Sequence, residues 1–123
     1  RIVGVEDRPE IRETLAELLI DSGFEVDTAA NGLTGLELIT STRPAGVLLD
    51  IGLPGIDGLE LARRVRANPG TAALPLIAMT GYGREEDRRQ VTDAGFDTHL
   101  VKPVDIDDVI RALAKLGVVG KFE

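Results

Sequence analysis

Short apolar runs alternate with amphipathic stretches along the whole chain. Ile2 to Val5, Val47 to Leu49 and Leu76 to Met79 are apolar apart from glycine and are bounded by turn residues, the pattern of strands buried on both faces of a parallel sheet. Phe24, Val26 and Thr28 alternate with Glu25 and Asp27, which predicts a strand with one polar face at a sheet edge, and Thr98 to Val101 reads as a fifth strand. Between these runs the spacing turns helical. Ile11, Leu15, Leu18 and Leu19 follow Pro9, which suits a first helical turn, and Ser22-Gly23 ends that helix. Asn31 caps a helix carrying Leu33, Leu36 and Ile39, closed by Pro44. Asp57 caps a third, with Leu61, Ala62 and Val65 inward and Arg63, Arg64 and Arg66 outward, broken at Asn68-Pro69-Gly70. Residues 84–94 hold Arg84, Glu85, Glu86, Asp87, Arg88, Arg89 and Asp93 around a thin stripe of Val91 and Ala94, so this helix is expected to be weakly held. Asp105 caps a last helix with Ile106, Val109, Ile110, Leu113 and Leu116 on one face, ended by Gly117. Five strands alternating with helices predict an α/β protein with a parallel sheet covered on both faces.

A chain of 123 residues is one domain and is long enough to bury a core without metal or disulfide support. It has no cysteine, which excludes disulfide and thiol chemistry and fits a reducing cytoplasm. A net charge of -7 opposes contact with nucleic acid or an anionic membrane. No run is long enough to span a bilayer. The chain opens on Arg1-Ile2-Val3 inside a strand and without an initiator methionine, which predicts a processed chain or a piece of a larger protein. Residues 1–117 form the expected domain, and 118–123, with Val118, Val119 and Phe122, an apolar tail or linker remnant that docks here or continues to a neighbour.

The chemistry collects where strands end. Open α/β sheets work beyond the carboxyl ends of their strands, and those ends carry Glu6 with Asp7, Asp50, Thr80 and Lys102. Asp50 taken alone reads more readily as a turn cap. The loop behind it, Gly52-Leu-Pro-Gly55-Ile-Asp-Gly58, is tight and poor in bulky side chains, which leaves the carboxylate approachable. Three crowded carboxylates resist ionisation unless a cation offsets them, and a hard divalent ion such as magnesium, with oxygen ligands, is the natural partner. Lys102 and the Thr80 hydroxyl then bind an anion that carboxylates alone repel. The chemistry this suits is phosphoryl transfer to a carboxylate.

Glu6-Asp7, Asp50 with Leu53-Pro54-Gly55-Ile56-Asp57-Gly58 behind it, Thr80-Gly81 and Lys102-Pro103 occur in order at successive strand ends, and with them the chain resembles the receiver domain of two-component response regulators and hybrid histidine kinases over essentially its whole length. The resemblance implies a flavodoxin-like, doubly wound sheet of order 2-1-3-4-5. It implies that Asp50 takes a phosphoryl group from the phosphohistidine of a histidine kinase or phosphotransfer domain. The resemblance further implies that Glu6, Asp7, Asp50 and the Gly52 carbonyl hold Mg2+, that Thr80 hydrogen-bonds a phosphoryl oxygen and that Lys102 pairs with it. It also implies a cis bond before Pro103, against a trans proline that merely ends the strand. The signalling face would be the charged helix, the strand with His99 and the last helix, read by an output domain or protein elsewhere.

Three positions stand out against the family's pattern. His99, the one histidine, stands three before the lysine, where receivers usually carry an aromatic switch residue. An imidazole there either switches, and makes the response depend on pH near neutrality, or is a half-exposed strand residue. Gly52 and Tyr82 flank the expected phosphoryl site, and a glycine that positions no water predicts slow self-dephosphorylation. The alternative class is a phosphorylation-independent, receiver-like interaction module, which has no need of the full set of acids, Thr80 and Lys102. A flavin-binding flavodoxin would not set Glu6-Asp7 where its phosphate binds, and a freestanding hydrolase would need a nucleophile-base pair not found here.

Overall fold

In the computed structural model, which describes residues 1–81 and 85–121 and the side chains of these except 85–87, the strands are β1 (Ile2–Val5), β2 (Val26–Ala29), β3 (Gly46–Asp50), β4 (Leu76–Thr80) and β5 (Thr98–Val101). The helices are α1 (Pro9–Asp21), α2 (Gly32–Thr42), α3 (Gly58–Ala67), α4 (Glu85–Ala94) and α5 (Ile106–Lys115). All pairings are parallel and the order is β2-β1-β3-β4-β5, the flavodoxin-like order expected, with β2 at an edge.

Side chains alternate across each strand and build two cores. Val3, Val5, Val47, Leu49, Leu76 and Ala78 pack on one face with Ile39, Leu61, Val65 and Val91 of α2, α3 and α4. Ile2, Leu48, Ile77 and Met79 pack on the other with Leu19 of α1 and Val109 and Leu113 of α5. Strand order reverses direction between β1 and β3, and in open α/β sheets ligands bind at such a switch point. The caps fall where the sequence puts them: Asn31 accepts from the Thr34 N–H at 2.9 Å, Asp57 from Glu60 at 2.9 Å and Asp105 from Asp107 at 2.8 Å.

Three assignments of helix residues to a face need correction. Leu33 is 59% exposed, because α2 instead turns Gly32, Gly35 and Ile39 to the sheet. A Cβ on Gly35 would stand 2.8 Å from Val5 Cγ2, so only glycine lets the helix lie this close to β1. Leu18 is 39% exposed. It lines an open, largely apolar groove of about 340 Å³ between α1 and the start of α5, with Ile11, Leu15, Val104 and Ile106. Arg66, expected outward, is half-buried and hydrogen-bonded through its whole guanidinium. Nε donates to Gly95 O at 2.8 Å, Nη1 to Ala72 O at 2.9 Å and to Leu74 O at 2.6 Å, and Nη2 to Asp97 Oδ2 at 3.1 Å. Asp97 Oδ2 also accepts the Leu76 N–H at 2.8 Å, so one side chain pair joins α3, the loop before β4 and the entry to β5.

Val118, placed in the expected tail, joins the α1/α5 core and donates its N–H to Leu113 O at 2.9 Å; the Lys121 N–H reaches Gly23 O at 3.0 Å. Phe122 lies outside the described residues, as do Tyr82, Gly83 and Arg84. Among the described residues no helix is long and apolar enough to cross a membrane.

The staple makes a stability prediction. Arg66→Met removes donors from three loop carbonyls and leaves Asp97 without its cation, and should lower the free energy of urea unfolding by about 3 kcal/mol. Arg63→Met, on the exposed face of the same helix, should stay within about 0.5 kcal/mol of wild type. Equal effects would show that the Arg66 bonds are worth no more than a surface charge.

Candidate functional site

The register of the sheet brings the acids together. Val5 pairs with Leu49, so the next residues, Glu6 and Asp50, leave their strands side by side. One carboxylate oxygen from each of Glu6, Asp7 and Asp50 lies within 4.8 Å of the others. Glu6 is 1% exposed and Asp50 6%, while Asp7 faces solvent. From the other side, Thr80 pairs with Val101 and the Lys102 N–H donates to Thr80 O at 2.7 Å, which fixes Lys102 at the end of β5. Its Nζ stands 2.7 Å from Glu6 Oε1 and 3.1 Å from Asp50 Oδ2.

Each oxygen of Asp50 thus has a different partner: Oδ2 meets the ammonium and Oδ1 accepts the Gly52 N–H at 3.0 Å. That bond folds the chain back beneath the carboxylate, and Gly58 completes the packing. A Cβ on Gly58 would stand 2.5 Å from the Asp50 carbonyl oxygen, so the glycine lets α3 begin directly against the site strand. The sequence pattern marks Gly58 as a loop glycine; close backbone approach is its physical reason. The peptide bond before Pro103 is cis.

Charge is shared unevenly. Burial pushes the Glu6 carboxyl up, and although Lys102 pulls it down, the neighbouring Asp50 and Asp7 keep it above the usual carboxylate range. Burial also works against ionised Asp50, yet the Gly52 N–H, Glu6 and Lys102 together hold its carboxyl below the usual range. Burial disfavours the Lys102 ammonium, but Glu6 and Asp50 raise its pKa overall. Of the two buried acids, Asp50 is therefore the one whose ionised form its partners favour, and Glu6 the one whose charge burial opposes. The donors are all hard oxygens, and with one ammonium against three carboxylates the set suits a small divalent cation.

Thr80 is buried at the adjoining strand end, and His99 is half-buried in β5, paired with Ala78. Tyr82 lies outside the described residues. Arg12 was not among the expected site residues: from the second turn of α1 its Nη1 donates to Glu6 O at 3.0 Å and to Asp7 O at 3.4 Å. An arginine next to Ile11, which the helical spacing turns inward, is the only mark the sequence offers for it.

Known proteins resemble this chain in sequence and fold. A family model described as "Response regulator receiver domain" matches residues 2–114. Sporulation initiation phosphotransferase F of Bacillus subtilis is 36% identical over 115 residues, covering 94% of this chain and 91% of that protein. Among solved structures, chemotaxis protein CheY4 of Vibrio cholerae superposes with a TM-score of 0.89 at 26% identity, covering 94% and 96% of the two chains. The receiver domain of sensor histidine kinase PA1611 from Pseudomonas aeruginosa, with a magnesium ion coordinated in its active site cleft, gives 0.87 at 29% identity, again covering 94% and 96%.

The raised Lys102 pKa makes a signed prediction. The stability it contributes is complete below the ordinary lysine value of 10.5 and is lost as pH rises through the raised one. With divalent cations chelated, the free energy of urea unfolding should therefore fall more steeply above about pH 10 in wild type than in Lys102→Met. Parallel curves would contradict the pairing.

Proposed function

The chain belongs to the response regulator receiver domain family, and on that premise we propose that Asp50 is its phosphoacceptor, taking a phosphoryl group from the phosphohistidine of a histidine kinase or phosphotransfer protein. The observation that carries this is the difference between the acids: Asp50 keeps slight exposure, is followed by a glycine-containing loop and has its ionised form favoured by the Gly52 N–H and Lys102, whereas Glu6 is almost completely buried and burial opposes its charge. An oxygen of ionised Asp50 attacks phosphorus, the P–N bond to the donor imidazole breaks, and the imidazole leaves as the new P–O bond forms. Lys102, already 3.1 Å from Asp50 Oδ2, is placed to donate to an oxygen of a group carried there. The Thr80 hydroxyl is the proposed second donor.

Glu6, Asp7, Asp50 and the Gly52 carbonyl are the groups that would hold Mg2+, and the three carboxylates fit it in donor type and in needing a counter-charge. Bound there, the ion would neutralise charge on the moving phosphoryl oxygens. Thr80 and His99 are proposed as the switch that passes the change to α4, β5 and α5, where an output domain or separate protein would read it. The net charge of -7 supports a protein rather than nucleic acid as that reader. The complete set of acids with Lys102 weighs against a phosphorylation-independent interaction module.

The test is intact-mass spectrometry after incubation with a small phosphodonor. Wild type should gain one phosphoryl group and lose at least about tenfold in rate without magnesium, while Asp50→Asn gains none. His99→Ala should take up phosphoryl like the wild type, since its proposed work comes after the transfer. Uptake by Asp50→Asn equal to wild type would overturn Asp50 as acceptor, and a His99→Ala variant unable to take up phosphoryl would overturn a purely downstream role.

A further inference from the structure

We propose that Arg12 is a positioning residue for the metal-binding acids, holding the β1–α1 loop so that Asp7 and Glu6 face Asp50; this rests on the reading of that cluster as a magnesium site. β1 ends at Val5, and Glu6 N–H makes a last rung to Ala29 O at 3.1 Å. The strand pairing of β1 ends at Val5, so the carbonyls of Glu6 and Asp7 find their donor outside the strand ladder. Carbonyls left this way need a donor. Arg12 supplies it, one Nη1 bridging Glu6 O at 3.0 Å and Asp7 O at 3.4 Å. The same loop is drawn in by the Arg8 N–H, 3.4 Å from Glu6 Oε2.

Glu6 is thereby fixed at its N–H, its carbonyl and both carboxylate oxygens, by Ala29, Arg12, Lys102 and Arg8. Asp7 is different. Its carboxylate is exposed, so its place beside Glu6 and Asp50 is set through its backbone, and Arg12 grips that backbone. The arginine is itself fixed, being half-buried on the second turn of α1, with its own N–H bonded to Arg8 O at 2.9 Å. Groups that orient metal ligands from behind in this way commonly govern affinity by about 10- to 100-fold.

Charge and position make opposite forecasts here, which lets the idea be decided. Arg12 is a cation close to an acidic site, so on charge alone its removal should tighten binding of a divalent cation. If its work is positional, removal should weaken binding although the site becomes more negative.

The experiment is calorimetric titration of the purified protein with magnesium chloride, with thermal melting of each metal-free variant as the check on folding. Arg12→Met should raise the magnesium dissociation constant about tenfold or more. Arg12→Lys keeps the charge but not the planar fork and should weaken binding by about threefold. Arg63→Met, the same charge change on the outer face of α3, should bind as wild type does or slightly tighter. Arg12→Met binding as tightly as wild type, or tighter, would overturn the proposal. Should that variant fail to fold, wild-type affinity in Arg12→Lys overturns it instead. A wild type that binds no magnesium overturns both this proposal and the metal reading beneath it, whereas tight binding by wild type and Arg12→Met alike overturns this proposal alone.

Discussion

One ammonium held between two buried carboxylates is the interaction on which the site depends. Two like charges about 4 Å apart repel by about 4 kcal/mol at an effective dielectric constant of about 20, and Glu6, Asp7 and Asp50 approach within 4.8 Å of one another. Without Lys102 at 2.7 Å from Glu6 and 3.1 Å from Asp50, the edge of the sheet would carry its acids uncompensated. The ammonium is tied down by its own backbone, through the bond from its N–H to Thr80 O, so the counter-charge arrives with the strand. Burial then separates the two acids it serves. Glu6, enclosed, is pushed up; Asp50, gripped at Oδ1 by Gly52, is held down. The same pairing that offsets the acids' repulsion favours the ionised form of Asp50, which its proposed role as acceptor requires.

The two ends of the sheet are built on opposite principles. At the far end, Arg66 and Asp97 fasten α3, the loop before β4 and the entry to β5 through hydrogen bonds to main-chain groups. At the site end, charged side chains face one another across a cluster that a bound cation or phosphoryl group would rearrange. A switch needs such asymmetry, because movement at one end of a strand can be passed on only if the other end stays put.

What could be read from the sequence follows from what periodicity encodes. Unbroken apolar runs such as Val47 to Leu49 gave both the strands and, at their ends, the acids and Lys102; Asn31, Asp57 and Asp105 marked helix starts because a capping side chain acts within three residues. Strand order came from resemblance, since no local pattern states which strands are neighbours. Contacts that ignore side-chain type were hidden. Leu33 has the right spacing for a core residue, yet Gly35 occupies the packed face because α2 lies too near Val5 for any side chain. Arg66 and Arg12 look like surface charges in a helix; their work is to satisfy carbonyls of loops far along or just before them, which only the folded chain brings within reach. His99 is half-buried beside Ala78, a position that fits a switch and a plain strand residue alike.

The central claim is that, of three clustered acids, Asp50 alone carries the phosphoryl group. The direct measurement is to treat the protein with a phosphodonor and magnesium, reduce the acyl phosphate with borohydride, and locate the resulting homoserine by tandem mass spectrometry. Homoserine at position 50, with positions 6 and 7 unchanged, is the predicted result. Homoserine at position 7, the longer 5-hydroxynorvaline that reduction of a Glu6 acyl phosphate would give, or a phosphorylated protein that yields neither alcohol, would contradict it.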